Sequence, residues 1–264
     1  MARPITFLSD YGLRDEFVGV VHSVIAHECR DARVIDLSHG VPRQSVLAGA
    51  LMLVRALPFA PPGVHLAVVD PEVGARRRAI ALRTAAEDRL LVGPDNGLLM
   101  PAAERFGGVL EAVEISHSPW RLEPVSATFH GRDLFAPVAA RLAGGKALAD
   151  AGTPLEVGEL VALELPRPRQ EDGALVAHVM VVDGFGNVQL DAAPADLGGR
   201  LGRKIKVGDG HSARYLRTFA DANPGELLLY EDAAGMLALA VNGGEASGEL
   251  GGLEHGDEVR LASS

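Results

Sequence analysis

One short turn of the sequence contains an aspartate followed by three consecutive arginines. Asp70 ends the apolar run of residues 64–69, and Arg76, Arg77 and Arg78 precede a second apolar run. A carboxylate at the carboxyl end of a buried strand, faced by guanidinium groups, is how an open α/β sheet usually presents a reactive or ligand-binding acid. We therefore expect Asp70 and one of these arginines, Arg77 in particular, to handle a small polar nucleophile.

Three more corners carry polar side chains directly after or before an apolar segment. Asp10 follows the first apolar run, residues 128–133 include His130 and open a segment with helical spacing, and residues 183–187 follow a long apolar run. In a parallel sheet, the strand ends that lead into helices lie along one edge. Asp10 and Asp70 are therefore expected to share a crevice.

Each corner also has a purely structural interpretation. Asp10 could cap the turn before its helix, and Asp70 could brace a turn whose arginines face solvent. His130 could be a hydrogen-bonded histidine at a helix start, and residues 183–187 could form an ordinary β-turn around Phe185. From the residues alone, both interpretations stay open at every corner.

The order of apolar segments predicts an α/β fold with two domains. In residues 1–163, strands alternate with helices, which is typical of a mainly parallel, twisted sheet flanked by helices. Residues 164–173 combine prolines and charges and are interpreted as a linker. Residues 174–264 predict a smaller antiparallel β-barrel-like domain. Four strands are predicted in this domain, at residues 174–182, 201–207, 226–230 and 236–241.

Composition narrows the classes of partner. The chain has 264 residues and a formal net charge of -10, which argues against nucleic acid or an anionic membrane as the main partner. Cys29 is the single cysteine, so neither an intrachain disulfide nor a cysteine zinc cluster is expected. We predict no metal site, because the histidines and acids lack the usual ligand spacings. The histidines without such spacing include His22, His39, His65, His117 and His178.

The sequence also carries weak information on origin and location. It contains no signal peptide and no apolar run of the ~20 residues that a membrane span requires, so we predict a cytoplasmic protein. Its abundance of arginine, alanine and glycine is typical of GC-rich bacterial genes.

The polar corners together resemble the motifs of one family, the S-adenosyl-L-methionine hydroxide adenosyltransferases. The five motifs are residues 7–12 (FLSDYG), 69–78 (VDPEVGARRR), 94–99 (PDNGLL), 128–133 (TFHGRD) and 183–187 (DGFGN). They match in order and spacing, and the resemblance extends from Ile5 to about Gly248. The family is related to the fluorinase and chlorinase, which transfer halide to the same ribose carbon.

The resemblance implies an enzyme that hydrolyses S-adenosyl-L-methionine to adenosine and L-methionine. Water, acting as hydroxide, attacks the ribose 5′ carbon in an SN2-type step, and methionine leaves. The family's catalytic set falls on Asp70, Arg77 and His130, and Arg77 is chosen because it stands seven residues beyond the aspartate. No cofactor is implied, because S-adenosyl-L-methionine is the substrate.

This chemistry suits those residue types. The sulfonium departs as a neutral thioether and needs no acid, so the site must supply an aligned, partly desolvated nucleophile. Arg77 and His130 can favour hydroxide character in the water, as a nearby cation favours any anion. Asp70 can orient the water and accept its proton, or it can hold Arg77 and His130 in place.

Substrate-binding positions and assembly are likewise implied by the resemblance. Asp10 would bind the ribose hydroxyls, and Asp183 and Asn187 would bind the amino-acid portion or the base edge. Phe185 would give an apolar contact, and Asn242 and Gly243 resemble the family's late contact to adenine. Phe129 and Gly131 are also expected to bind the substrate. The family is trimeric, with substrate held between the large domain of one subunit and the small domain of its neighbour.

The sequence departs from its relatives at several positions. Glu72 stands where the family commonly has glycine, and residues 233–235 (AAG) replace a serine-bearing turn near the methionine carboxylate. The fluorinase's tyrosine at the Asp70 place and serine at the Gly131 place are absent, and residues 83–89 are too short for its extra loop. Fluoride chemistry is therefore not expected. Two alternatives stay open: a chloride adenosyltransferase of the same superfamily, and a non-catalytic protein that binds S-adenosyl-L-methionine or a nucleoside.

Overall fold

The computed structural model describes residues 2–198 and 201–263, and the chain divides into two compact units, Met1–Glu164 and Leu165–Ser264. None of the helices in these ranges combines the length and apolar character that crossing a bilayer requires.

The first unit is built on a seven-stranded sheet. Its strands are β1 Ile5–Ser9, β2 Val34–Ser38, β3 Val64–Val68, β4 Ala79–Thr84, β5 Leu90–Pro94, β6 Val109–Glu114 and β7 Thr153–Leu155. They lie in the order β2-β1-β3-β5-β4-β6-β7. The pairs β1–β2, β1–β3 and β3–β5 are parallel, whereas β4–β5, β4–β6 and β6–β7 are antiparallel.

Helices cover both faces of this sheet. They are α1 Phe17–Glu28, α2 Val46–Ala56, α3 Met100–Arg105 and α4 Ala136–Ala143. Successive strand residues point to opposite faces, so Phe7 of β1 packs in the core with α1 and α4, and Leu8 packs in the core with α2 and α3. The predicted α/β class is confirmed. The sheet is more mixed than predicted, because the connection from β4 to β5 is too short for a parallel crossover.

The second unit is a closed barrel. Its elements are β8 Arg169–Glu171, β9 Ala174–Val182, β10 Val188–Leu190, α5 Pro194–Leu197, β11 Lys204–Val207, β12 His211–Tyr215, β13 Leu227–Glu231, β14 Leu237–Val241, α6 Ala246–Glu249 and β15 Glu258–Ser263. The strand order is β10-β14-β13-β12-β11-β15-β9-β8, and β9 also pairs with β10, which closes a ring of seven strands. The barrel class is confirmed, with one departure: β12 and β13 pair in parallel.

Several elements of this unit escaped the sequence prediction. The four predicted strands correspond to β9, β11, β13 and β14, whereas β8, β10, β12 and β15 were not predicted. β12 and β15 bury every second residue and place charged or polar residues between them, so they lack a continuous apolar run. β8 lies inside the segment interpreted as a linker and pairs with β9.

Candidate active site

The turn between β3 and β4 begins at the predicted catalytic Asp70. β3 is buried along its whole length, and the following residue, Val69, is held by Asn96, whose Nδ2 donates to the backbone oxygen of Val69 at 2.9 Å. Ser9 pairs with Val68 in parallel register, so Asp10 and Asp70 follow neighbouring strands at the same edge of the sheet. The two carboxylates are therefore brought to the same edge of the sheet, as expected from the sequence.

Gly74 brings this turn against the segment that leads to His130. Its φ is +78°, and a Cβ atom added there would lie 2.3 Å from the backbone oxygen of Ala127. Both the left-handed backbone and the close approach require glycine. The approach joins two loops that are far apart in sequence.

Arg77 and Asp70 form a buried ion pair. Nε of Arg77 donates to Oδ1 and Oδ2 of Asp70 at 2.9 and 3.0 Å, and Nη2 donates to Oδ2. The two side chains are only 4% and 5% exposed. The guanidinium also lies over the ring of Phe135, with Cζ 5.2 Å from the ring centre. Ionic hydrogen bonds of this forked kind fix both partners in orientation.

His130 completes the predicted catalytic set. Its Nδ1 lies 2.9 Å from Nη2 of Arg77. Arginine can only donate, so Nδ1 of His130 accepts and the proton of the neutral ring resides on Nε2. Burial, and then the Arg77 guanidinium, lower the pKa of His130 below its ordinary value, against the opposing charges of Asp70 and Asp133. His130 is therefore neutral near pH 7, and the positive charge of the set belongs to Arg77.

The neighbouring arginines differ from Arg77 in their surroundings. Arg76 is exposed. Arg78 pairs with the buried Asp95, with Nε 2.8 Å from Oδ2, and also contacts Glu159. Arg78 thus anchors the turn to the next corner of the sheet.

An open cavity of about 480 Å³ is lined by this turn, including all three arginines.

Tyr11 is a site residue that the sequence reasoning did not single out, although it lies within the first motif. Burial, and then the carboxylates of Asp10 and Asp70, raise the pKa of Tyr11 above its ordinary value, so its hydroxyl stays protonated. A Cβ atom added to Gly131 would lie 2.1 Å from Oη of Tyr11. Glycine at position 131 therefore makes room for the tyrosine hydroxyl beside His130.

The ring of Tyr11 packs against two other aromatic rings. The ring of Tyr11 meets those of Phe17 and Phe129 at centroid distances of 5.9 Å each, and Phe17 and Phe129 are 5.1 Å apart. Phe129, predicted to contact the substrate, is thus part of an aromatic cluster.

Asp10 is half-buried, and its Oδ2 accepts from the backbone N–H of Gln44 at 2.8 Å.

Asp133 shapes the loop in front of His130. It is 2% exposed, accepts from the backbone N–H of Ser126 at 2.7 Å, and is bound by Nε of Arg132 at 2.6 Å. A single π-helical turn, Gly131–Phe135, then leads into α4. The polar segment 128–133 therefore leads into a helix, as predicted. Asp133 holds the loop that precedes this helix.

The predicted residues of the second unit form their own turn. Oδ1 of Asp183 accepts from the backbone N–H groups of Phe185 and Asn187 at 2.9 and 3.0 Å, and its Oδ2 accepts from Nδ2 of Asn187 at 2.9 Å. Phe185 is 80% exposed. The carboxylate of Asp183 thus organises its turn and presents the aromatic ring of Phe185 to the outside.

Asn242 and Gly243, the last two residues predicted to contact the substrate, follow β14. Nδ2 of Asn242 donates to the backbone oxygen of Ala222 at 2.8 Å, which leaves its side-chain oxygen available, and Gly243 has a φ of 80°. Both residues lie in the turn that directly follows β14.

One group of side chains with metal-ligand chemistry occurs in residues 2–198 and 201–263: His22, Asp36 and His39. It lies at the end of β2, apart from the predicted catalytic set. The sequence reasoning missed it because the ligands come from separate elements. His22 lies on α1, Asp36 lies on β2, and His39 directly follows β2.

The geometry supports the activation of a small nucleophile. The set contains a buried, always charged guanidinium, a carboxylate fixed by it, and a neutral imidazole whose free N–H can donate. Such fixed dipoles stabilise developing anionic charge at little cost of reorganisation.

Comparison with known proteins places this arrangement in a family. Profiles described as the SAM hydroxide adenosyltransferase N-terminal and C-terminal domains match residues 5–152 and 177–260. The (R)-S-adenosyl-L-methionine hydrolase of Salinispora tropica is 52% identical over 98% of this chain and 97% of its own length. The fluorinase of Nocardia brasiliensis is 31% identical, with 91% of each chain covered.

A solved structure supports the same relationship. The crystal structure of an uncharacterized conserved protein from Thermotoga maritima aligns with a TM-score of 0.88 and 38% identity, covering 98% of this chain and 99% of that one. The matching profiles, the similarity to curated relatives and the shared fold agree with one another. This chain belongs to the SAM hydroxide adenosyltransferase family.

Proposed function

We propose that this chain hydrolyses S-adenosyl-L-methionine to adenosine and L-methionine by attack of water or hydroxide on the ribose 5′ carbon. One observation carries the proposal. In a chain 52% identical to a named S-adenosyl-L-methionine hydrolase, Arg77 contacts both Asp70 and His130, with Nη2 of Arg77 2.9 Å from Nδ1 of His130. The reaction breaks the carbon–sulfur bond, forms a carbon–oxygen bond, and releases methionine as a neutral thioether and one proton.

We assign the activation of water to Arg77 and His130. Arg77 supplies the positive charge that favours hydroxide, and its burial strengthens that effect because little water screens it. His130 is neutral, so its role is to orient the water through Nε2–H. This differs from the expectation that both residues act as cations.

Asp70 is assigned to holding this arrangement and to taking up the proton. Both of its oxygens are engaged by Arg77, which supports the holding role. In the described part of the chain, Oδ1 accepts only from Nε of Arg77, so its second lone pair can take up the proton. Tyr11 remains a neutral phenol and is not proposed as a base.

The substrate is proposed to be the (R) sulfonium epimer, because the relative from Salinispora tropica carries that epimer in its name. Asp10 would bind the ribose hydroxyls. The second unit would supply Asp183, Phe185, Asn187, Asn242 and Gly243 to the amino-acid portion and the base. The exposed ring of Phe185 and the free amide oxygen of Asn242 support such contacts. No cofactor is proposed.

The assembly is proposed to be a homotrimer whose sites are shared between subunits, acting in the cytoplasm of a bacterium. These three statements stay predictions. Sedimentation or light scattering of the purified chain measures the subunit number, and a mass other than that of three chains contradicts the trimer.

Chloride transfer is the less favoured alternative. A fluorinase-type serine in place of Gly131 would put a Cβ atom 2.1 Å from Oη of Tyr11, so the present site has no room for it without a shift. The fluorinase relative is also the more distant one, at 31% identity. Both facts argue against fluoride transfer. Gly131 alone would permit chloride, and it is the Asp70–Arg77–His130 set that favours water over chloride as the nucleophile.

The decisive experiment uses ¹⁸O-labelled water. The chain is incubated with the separate (R) and (S) epimers, with and without chloride, and products are identified by chromatography and mass spectrometry. We expect methionine and adenosine carrying one ¹⁸O atom in the 5′-hydroxyl, formed faster from the (R) epimer. A chlorinated nucleoside would favour the alternative, and binding without methionine release would favour a non-catalytic protein.

A further inference from the structure

We propose that His22, Asp36 and His39 form a binding site for a divalent transition metal of the zinc class. The site is distinct from the Asp70–Arg77–His130 set, and the proposal does not depend on the reaction assigned to that set. Each of the three residues offers one ligand atom, and these atoms lie within 4.8 Å of one another.

The three side chains come together from two neighbouring elements. His22 lies on α1, Asp36 on β2, and His39 directly after β2. Nε2 of His22 lies 2.8 Å from Oδ1 of Asp36, and Nε2 of His39 lies 3.0 Å from the same oxygen. Zinc binds nitrogen and oxygen at about 2.0–2.2 Å, so neighbouring ligand atoms stand about 2.8–3.6 Å apart. Both distances fall in that range.

A buried, unsatisfied nitrogen points to a ligand at this place. The side chain of His39 is only 3% exposed. Nε2 of His39 lies 3.0 Å from Oδ1 of Asp36 but makes no hydrogen bond of ordinary geometry. A buried polar atom without a partner is costly, and a bound cation would remove that cost.

The other nitrogen of His39 is held in the way that metal-binding histidines usually are. Nδ1 of His39 lies 2.8 Å from Oγ of Ser9, which is fully buried. When the serine oxygen accepts the Nδ1 proton, the lone pair of the ring is on Nε2 and directed toward Asp36. A second hydrogen bond of this kind fixes the tautomer and orientation of a ligating imidazole.

The surroundings suit a partly open site. The ring of Phe7 lies 4.6 Å from the ring of His39 and 6.1 Å from that of His22, which shields one side. The side chains of His22 and Asp36 are 35% and 42% exposed, so an ion can enter from solvent. Two imidazoles and one carboxylate favour zinc, cobalt or iron(II) over magnesium or calcium, which prefer oxygen ligands.

The site would also tie β2 to the first motif. The backbone oxygen of His39 accepts from the N–H of Gly12 at 2.7 Å, and Ser9 precedes Asp10 in the chain. Metal binding would therefore hold the segment from Ser9 to Gly12 as well as the end of β2.

The test uses the full chain without an affinity tag, stripped with a chelator and titrated with zinc in a calorimeter and with cobalt(II) in a spectrometer. The variants are His22→Ala and Asp36→Asn. The control is His27→Ala, which changes an exposed histidine on the same helix. Alanine favours helix, so His22→Ala and His27→Ala should both fold, which circular dichroism checks.

We expect one zinc per wild-type chain, a raised melting temperature, visible cobalt absorption bands, and no binding of magnesium. His22→Ala and Asp36→Asn should each weaken zinc binding at least tenfold, and His27→Ala should bind like the wild type. The proposal is overturned if the wild type does not bind zinc, or if both site variants bind it as tightly as the control. A lower melting temperature of metal-free His22→Ala without any zinc binding would identify a hydrogen-bonded cluster instead.

Discussion

Nη2 of Arg77 donates to Nδ1 of His130 across 2.9 Å and so determines which nitrogen of the imidazole carries the proton. The same guanidinium binds both oxygens of Asp70. One cation therefore sets the orientation of a carboxylate and the tautomer of an imidazole. A lysine could supply the charge but not this forked geometry.

Replacing Arg77 by lysine tests that geometry. We expect Arg77→Lys to lower kcat by about 100-fold or more, because one ammonium cannot hold Asp70 and His130 in the same orientation. Steady-state kinetics with S-adenosyl-L-methionine measures the loss. Arg76→Lys is the matched control, since Arg76 is exposed. Equal activity of both variants would remove Arg77 from the mechanism.

Replacing Asp70 should affect turnover and stability together. Asp70→Asn leaves the buried Arg77 charge without its partner, and loss of one member of a buried pair costs about 3–5 kcal/mol. We expect turnover to fall below detection while adenosine binding, measured by calorimetry, changes little. Glu72→Gln alters an exposed acid of the same turn and should leave the melting temperature and activity near wild-type values. Retained turnover in Asp70→Asn would contradict both assigned roles.

The pH dependence should report the neutral His130. Its pKa lies below the ordinary value of 6.5, so the neutral ring persists as the pH falls through 6.5. We expect kcat/KM to stay constant across that value and to decline only at lower pH. Rates measured from pH 4.5 to 8.5 test this. An acid limb centred above pH 6.5 would mean that His130 is protonated in the working enzyme.

The lowered pKa of His130 also predicts how the stability of the fold changes with pH. Below pH 6.5 the unfolded chain takes up a proton at this histidine before the folded chain does, so the contribution of His130 to stability falls with falling pH. His130→Asn should weaken the pH dependence of the melting temperature in that window. An unchanged slope would contradict the lowered pKa.

Gly131 and Tyr11 should depend on each other. A side chain at position 131 would collide with Oη of Tyr11 but lie 3.1 Å from the next ring atom, Cζ. We expect Gly131→Ser to lower kcat/KM at least tenfold, and the double variant Gly131→Ser, Tyr11→Phe to recover part of it. Kinetics of the two single variants and the double variant measure the coupling. Additive losses would show that the close approach does not matter.

The sequence by itself determined the buried strand that precedes Asp70, the polar corners and the α/β class. These depend on local features: an apolar run long enough for one buried strand, a proline and glycine that stop it, and charged residues at fixed spacing. The short strands β12 and β15 escaped because their alternating residues give a weak local signal. The partners of β15, which are β9 and β11, are also distant in the chain.

Only the tertiary structure decided which side chains meet. Arg77 and His130 are 53 residues apart, and they come together because Gly74 lets its turn pack against Ala127. The tautomer of His130 follows from that contact and from no local pattern. Likewise, His22 meets Asp36 and His39 only through the tertiary fold, so two histidines without ligand spacing in the sequence converge on one carboxylate oxygen of Asp36.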